Sequence, residues 1–371
     1  RKAVSGDLPE QLLARWQSPD AMAVIRERWE QLQAKGFVLE DLKEGRIARR
    51  TRGPAVEAGP GGDMDYNGGH VAAKAVEMLT QMPKDQPFFY AAGFRDPHLP
   101  FLSPKKYWDL YDPSKLRLPP FRQPPEGTTE WAMGDCEAAQ YCTTHGYEEP
   151  WLPTDEESLE MLHGRLAVLS FFDAQVGKIL DALEAAGHAD NTIVVLTSDH
   201  GFHDGEHGYW GKHNLWDKSL HVPLIVRLPR NQRQTGRVTG LTEHVDIYPT
   251  LTELAGLDSP GSFLEGDSMV SVVQSPGPEF KRALFAHRKH MWHDRIQAYD
   301  IANTVRTKRY RFTEYRDKSG GQMHVELFDY EADPQETKNH AEEPAYAEIR
   351  RELQQLLDDG WSAVRPGVAT A

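Results

Sequence analysis

Four side chains of this 371-residue chain stand where type and spacing could do chemistry on an anion: His98, Asp199, His200 and Lys212. Asp199 and His200 lie in LTSDHGFHDGEHGYWGKH, residues 196–213, which holds four histidines, three carboxylates, one lysine and four glycines. A carboxylate beside an imidazole, with Gly201 letting the backbone turn, supplies a pair of metal ligands. The bland alternative is that Asp199 caps the next turn and His200 is an ordinary loop histidine. Lys212 stands between Trp210 and Trp216, and an ammonium held among aromatics suits sulfate or phosphate. Its alternative is a surface lysine whose stem snorkels over apolar neighbours. His98, in RDPHLPF, is set between Pro97 and Pro100 and could bind an oxyanion or protonate a leaving group; otherwise it is a packed loop histidine. Arg95 and Asp96 beside it are candidates for substrate contact. His203 and His207 read as neighbours of the site mouth or as solvent-facing, and Trp210 as packing that holds Lys212.

These residues need elements to carry them. The apolar run QPFFYAAGF, 86–94, reads as a buried parallel strand delivering Arg95 and His98, and TIVVLTS, 192–198, as one delivering Asp199 and His200. In open α/β sheets, ligands bind beyond the carboxyl ends of the strands, so both segments would present their histidines at one sheet edge. HVAAKAVEMLTQM predicts a helix. So does the row Leu166, Leu169, Phe172, Val176, Leu180 and Leu183, ending at Gly187. VPLIVRL is a further strand, and DIYPTLTELAGL a helix stopped by Gly256. Near the start, SPDAMAVIRERWEQLQAKG predicts a helix with Ser18 or Asp20 as cap and Gly36 as stop.

This alternation predicts an α/β fold with a largely parallel sheet sandwiched by helices. Past residue 280 the texture changes. ALFAH, NTVRT, YRFTEY and VELFDY predict a small antiparallel sheet, closed by the helix EIRRELQQLLDDGW. The expected organisation is a large α/β domain over 1–279 and a small α+β subdomain over 280–371. Arg306, in VRTKRYR, is placed to pair with an acid between them. Residues 112–155 and 286–302 read as irregular excursions of the kind that shape a site.

Hydrophobic residues make up 39% of the chain and aromatics 10%, the composition of a folded globular protein. A formal charge of −14 argues against non-specific nucleic-acid binding, which needs a basic face. It leaves room for an anionic small substrate in a locally positive pocket. No run of about 18 apolar residues predicts a transmembrane helix. No signal peptide is recognisable, and the opening RKAVSGDLPEQ reads as a processed or truncated start. Cys136 and Cys142, in GDCEA and QYCTT, have no CxxC spacing; a local disulfide and two thiols both remain open.

The stretch PFFYAAGFRDPHLPFLSPKKYWDLYDP resembles sulfatases of the alkaline phosphatase superfamily, the iduronate-2-sulfatase-like branch in particular. So do residues 165–229, which contain the DHG to GKH block, and EHVDIYPTLTELAGL, VRTKRYRFTEY and ELFDYEADPQETKN. Together these cover most of residues 63–360. The resemblance implies that Asp199 and His200 are two ligands of one calcium ion, that Lys212 binds the sulfate group, and that His98 contacts the sulfate and the bridging oxygen. It also implies a nucleophile that neither cysteine here provides: a Cys in a CxPxR motif, oxidised to formylglycine. The implied arrangement is a companion N-terminal chain or segment that carries the nucleophile and the remaining calcium ligands, so that this chain alone is inactive. The implied substrate is a sulfated carbohydrate, and the implied location is lysosomal, periplasmic or extracellular. Two rivals are weighed against it. One is a two-zinc phosphodiesterase or phosphomutase of the same superfamily, with His203, His207, His213 and His221 as nominal extra ligands. The other is a non-catalytic relative that binds sulfated glycans.

Overall fold

The computed structural model describes residues 16–36, 53–134, 136–141, 153–229, 235–259, 261–275, 279–289 and 299–366. They fall into two compact units, residues 1–120 with 136–190, and residues 121–135 with 191–371. The boundary expected between 279 and 280 therefore falls inside the second unit, because the C-terminal sheet belongs with the segment that begins at 191.

In the first unit, helix α1 (Pro19–Ala34) begins where its cap requires: the Ser18 side chain accepts the Ala21 N–H, and Ile25, Trp29 and Leu32 are buried. Gly36, at φ +87°, ends the turn that follows. Strands β1 (Val56–Gly59) and β2 (Phe101–Pro104) pair in parallel. Helix α2 (Asn67–Gln81) lies between them in sequence, and α3 (Asp155–Ala185) opens on a capping box formed by Thr154 and Glu157. At Gly164 of α3 an added Cβ would stand 2.9 Å from Val56 and 3.2 Å from Phe101, so only glycine lets the helix lie this close to the strand pair. Tyr66, Tyr107, Trp108, Ala167 and Phe171 form the core there.

Two expectations for this unit need correction. Residues 87–94 form no strand, and Phe89 is 85% exposed. A strand exists only where a neighbour takes its backbone hydrogen bonds, and none among the described residues pairs with this segment. Helix α3 forms as expected, but it buries Met161, Gly164, Ala167, Val168 and Phe171. Of the row that signalled it, only Leu183 is buried, and Leu169 is exposed. The helix is apolar on two faces and the second is only partly covered, with Phe172 edge-on to Phe94 at 5.1 Å.

In the second unit, β3 (Val194–Thr197) leads into the short hairpin β4 (His203–Asp204) and β5 (Trp210–Gly211). A single helical turn, α4 (Asp217–Leu220), precedes β6 (Leu224–Arg227). β3 and β6 pair antiparallel, which corrects the expectation of a parallel sheet here. Parallel neighbours need a crossover element, and one turn of helix is too short to carry the chain back along the sheet. Among the described strands the parallel pairing is that of β1 with β2. Val195, Leu224 and Val226 share a crevice with Ile247, Leu251 and Met269, so helix α5 (Ile247–Leu254) covers one face of the pair. On the other face Ile225 is 58% exposed.

The C-terminal part matches its sequence pattern. Strands β7 (Ala283–Lys289), β8 (Ile301–Thr307), β9 (Tyr310–Arg316) and β10 (Gln322–Asp329) form one antiparallel sheet in the order β10-β9-β8-β7. Helix α6 (Ala347–Asp359) places Leu353 in a core with Val305, Phe312, Val325 and Leu327. No described helix is long and apolar enough to cross a membrane.

Candidate active site

The chain leaves β3 at Thr197 and turns at once. The Ser198 hydroxyl donates to the His200 carbonyl (2.8 Å), and the Gly201 N–H donates to the Ser219 carbonyl of α4 (2.8 Å). A Cβ at Gly201 would lie 2.0 Å from the Lys218 carbonyl oxygen, so the loop can rest on α4 only with glycine there. This fixes the two residues before it. His200 donates its Nδ1 proton to the Gly201 carbonyl (2.8 Å), which leaves Nε2 as the ring nitrogen turned to a second group. Asp199 accepts the His200 N–H on Oδ1 (3.1 Å), while Oδ2 lies 3.5 Å from His200 Nε2. A carboxylate oxygen and an imidazole nitrogen thus converge at a solvent-facing position.

Lys212 follows β5 directly. The hairpin pairs His203 with Gly211 and Asp204 with Trp210, which buries Trp210 and leaves Lys212 half-buried just past the last pair. The Tyr209 hydroxyl accepts the His213 N–H (3.2 Å) beneath this corner. Asn214 anchors the next residues. Its Oδ1 accepts from Ser219 Oγ (2.8 Å), Trp216 N (3.2 Å) and His203 Nε2 (3.3 Å), and its Nδ2 donates to the Met133 carbonyl (3.3 Å). Gly201 and Asn214 therefore both rest on α4, and the short helix ties the metal-type pair to the lysine corner.

The histidines expected near the site mouth are core residues instead. His203 and His207 are 0% and 2% exposed. Their rings meet the Trp216 ring edge-on, at 5.8 and 4.9 Å. His207 sits at φ +59° and donates Nε2–H to the Gln335 carbonyl (2.8 Å). Burial, helped by repulsion from His207, pushes the His203 pKa down to about 3, so its ring is neutral. His221 pairs with Asp217 (3.5 Å), which raises its pKa. The nominal zinc ligands are thus drawn to other partners, and among the described residues no three His, Cys, Asp or Glu side chains gather as a metal cluster.

His98 belongs to the first unit. Cis peptide bonds precede Pro97 and Pro100 on either side of it. The loop is pinned through its carbonyls: Arg165 donates to Pro97 (2.8 Å), Tyr141 to Leu99 (3.2 Å), and Arg95 to Leu99 at the longer 3.5 Å. His98 Nδ1 lies 2.5 Å from the Leu99 carbonyl and Nε2 lies 3.3 Å from the buried carboxylate of Glu137. Both ring nitrogens thus face oxygen acceptors. Glu137 went unread in the sequence because it lies 39 positions away in an irregular stretch. Cys136 beside it is half-buried, and Cys142 lies outside the described residues.

Comparison with known proteins decides what this arrangement belongs to. The family model described as Sulfatase matches residues 48–257. The chain belongs to the sulfatase family. A second model, N-sulphoglucosamine sulphohydrolase, C-terminal, matches residues 205–362 of this sulfatase chain. The chain is 32% identical over 273 residues to a sulfatase of Formosa agariphila, an alignment that takes in 69% of this chain and 46% of that protein. It is 31% identical over 221 residues to human iduronate 2-sulfatase, across 50% of this chain and 39% of that enzyme. The chain thus spans less than half the length of these curated relatives. An enzyme solved in complex with its substrate D-glucosamine-2-N,6-O-disulfate shares the fold, with a TM-score of 0.69 at 21% identity over 80% of this chain and 69% of that one.

Proposed function

We propose that the chain is the C-terminal portion of a sulfuric ester hydrolase that removes sulfate from a sulfated carbohydrate. The observation that carries this reading is the Asp199–His200 pair on a sulfatase-family chain: Oδ2 and Nε2 lie 3.5 Å apart, with the other imidazole nitrogen committed to a carbonyl. A metal-binding histidine wants this state, deprotonated toward the ion and hydrogen-bonded on the far side. The carboxylate oxygen of Asp199 suits calcium, whereas an imidazole nitrogen is an uncommon calcium ligand; a single calcium is taken from the family likeness, with its remaining oxygens coming from elsewhere. Such an ion would draw charge from the sulfate oxygens, and a formylglycine on a CxPxR segment outside this chain would supply the nucleophilic oxygen.

The chain's own residues do the rest. Lys212 places an ammonium against the sulfate oxygens and stabilises the charge that develops there. His98, its Nδ1 committed to the Leu99 carbonyl, would turn Nε2 from Glu137 toward the departing alcohol oxygen and give it a proton. Arg95 extends a cation toward the sugar's anionic groups. The exposed face of β3 and β6, the segment 87–94 with Phe89 in solvent and the exposed Leu169 of α3 support the companion segment: each is apolar surface that a sulfatase domain of twice this length would cover. Lysosomal, periplasmic or extracellular placement follows from the family likeness alone.

Peptide mapping and elemental analysis of the enzyme purified from its native source test the reading. The expected result is a CxPxR peptide with formylglycine in place of cysteine and one calcium per site. Two zinc ions would favour the phosphodiesterase reading. Absence of any CxPxR peptide would favour a glycan-binding relative without catalysis.

A further inference from the structure

The C-terminal sheet reaches the loop that carries the site through two buried carboxylates. Glu326 of β10 accepts Trp216 Nε1–H (3.1 Å) and the Tyr315 hydroxyl (3.1 Å) on Oε2, and the Thr128 hydroxyl on Oε1. Glu336 accepts Arg311 Nε–H (2.6 Å) and the Tyr330 hydroxyl (2.6 Å) on Oε1, and the Asp217 backbone N–H (3.1 Å) on Oε2. Arg311 of β9 is fully buried between them. It bonds Glu336 and Thr313, and lies 3.8 Å from Glu326. A third hook comes from β8, where Arg306 Nε donates to Asp217 Oδ1 (3.1 Å) with its guanidinium over the Tyr330 ring.

All three hooks land on Trp216 and Asp217, the residues that open α4. That turn supplies the Ser219 carbonyl that holds Gly201, and the Ser219 hydroxyl and Trp216 N–H that hold Asn214 two residues past Lys212. We infer that Glu336, Arg311 and Arg306 are positioning residues: through α4 they set the geometry of the Asp199–His200 pair and of the Lys212 corner. A sheet that only stabilised the fold would have no need to bury two carboxylates and an arginine. A well-packed apolar trio of that size would do as well or better. What the ion network adds is direction, because each donor and acceptor admits one partner geometry. That Asp199, His200 and Lys212 form a sulfatase site rests on the function proposed above, whereas their coupling to the sheet through α4 does not.

Residue-resolved hydrogen exchange on the full chain tests the coupling. Glu336→Gln keeps the shape and removes the charge. It should speed exchange of the Gly201 and His221 amides, the two that donate to α4, about tenfold. Arg306→Gln, at a less buried position, is the second variant and should shift the same amides in the same direction if Glu336→Gln folds poorly. The control is Asp329→Asn, in the same strand as Glu326 and fully buried, but bonded to Arg309 and Tyr346. It should leave Gly201 unchanged. Calcium titration should show about tenfold weaker binding for Glu336→Gln and wild-type affinity for Asp329→Asn, within the range seen when partners behind a metal ligand are removed. Unchanged Gly201 exchange in both hook variants, or equal acceleration by Asp329→Asn, would overturn the inference. A wild-type chain that takes up no calcium would remove the metal reading and leave the exchange data to decide the coupling.

Discussion

Two sheets of the second unit show opposite degrees of self-sufficiency. The C-terminal sheet has four strands, a helix on its face, and Ala283, Val305, Phe312 and Leu327 wholly buried. The β3–β6 sheet has two strands, is covered on one face by α5, and leaves Ile225 on the other in solvent. Two-stranded sheets are marginal alone, and a bare apolar face with open edges is a template for another chain. Yet the weaker sheet is the one whose end carries Asp199 and His200. The difference teaches that stability and chemistry are allotted to different sheets here, with the network on Glu326, Arg311 and Glu336 as the link between them.

The comparison can be broken first at Arg311. Arg311→Met leaves two carboxylates buried without their cation and should cost about 3–5 kcal/mol by denaturant titration. A loss under about 1 kcal/mol would mean that the C-terminal sheet does not depend on this network. The next effect lies in the hairpin between β3 and β6. In the unfolded chain His203 protonates near pH 6.5, whereas in the folded chain its pKa is about 3. Between those values the unfolded state holds the extra proton, so stability falls as pH drops, by about 1.4 kcal/mol per pH unit. From pH 7 to 5 that is about 2 kcal/mol, and His203→Gln should flatten the profile. If the slope over this range is the same in wild type and variant, His203 is not the buried neutral group described. The smallest effect belongs to the exposed face. Ile225→Thr should change stability by less than about 0.5 kcal/mol while reducing self-association measured by sedimentation. A loss above about 2 kcal/mol would show that the face is covered after all.

Much of the fold was legible because local signals and tertiary outcome agree. Ser18 caps α1, Thr154 and Glu157 box α3, and the short alternating runs after 280 pair as the sheet they predict. Strand direction was not legible: TIVVLTS and VPLIVRL are equally apolar whether they run parallel or antiparallel, and the shortness of α4 decides it. Nor was the run at 86–94, whose composition is that of a central strand but which lacks a described neighbour to pair with. At the candidate site, Asp199, His200, Lys212 and His98 stood out by type and context. The residues behind them did not. Asn214, Asp217 and Glu336 are ordinary polar residues in sequence, and they matter only because the fold brings positions 214, 217 and 336 together. His203 and His207 misled for the converse reason, since a histidine in a polar stretch looks available until Trp216 is seen packed against it.

Glu336 carries one more consequence. Its φ of +53° places a side-chain residue in the left-handed region, which costs about 1 kcal/mol or more that glycine would not incur. The carboxylate's three bonds hold the backbone there. A selection for heat tolerance alone would therefore favour Gly or Asn at this position whenever backbone relief outweighed the lost bonds, and would slacken α4 in doing so. Position 336 is thus where a hardier protein and a working one would part company.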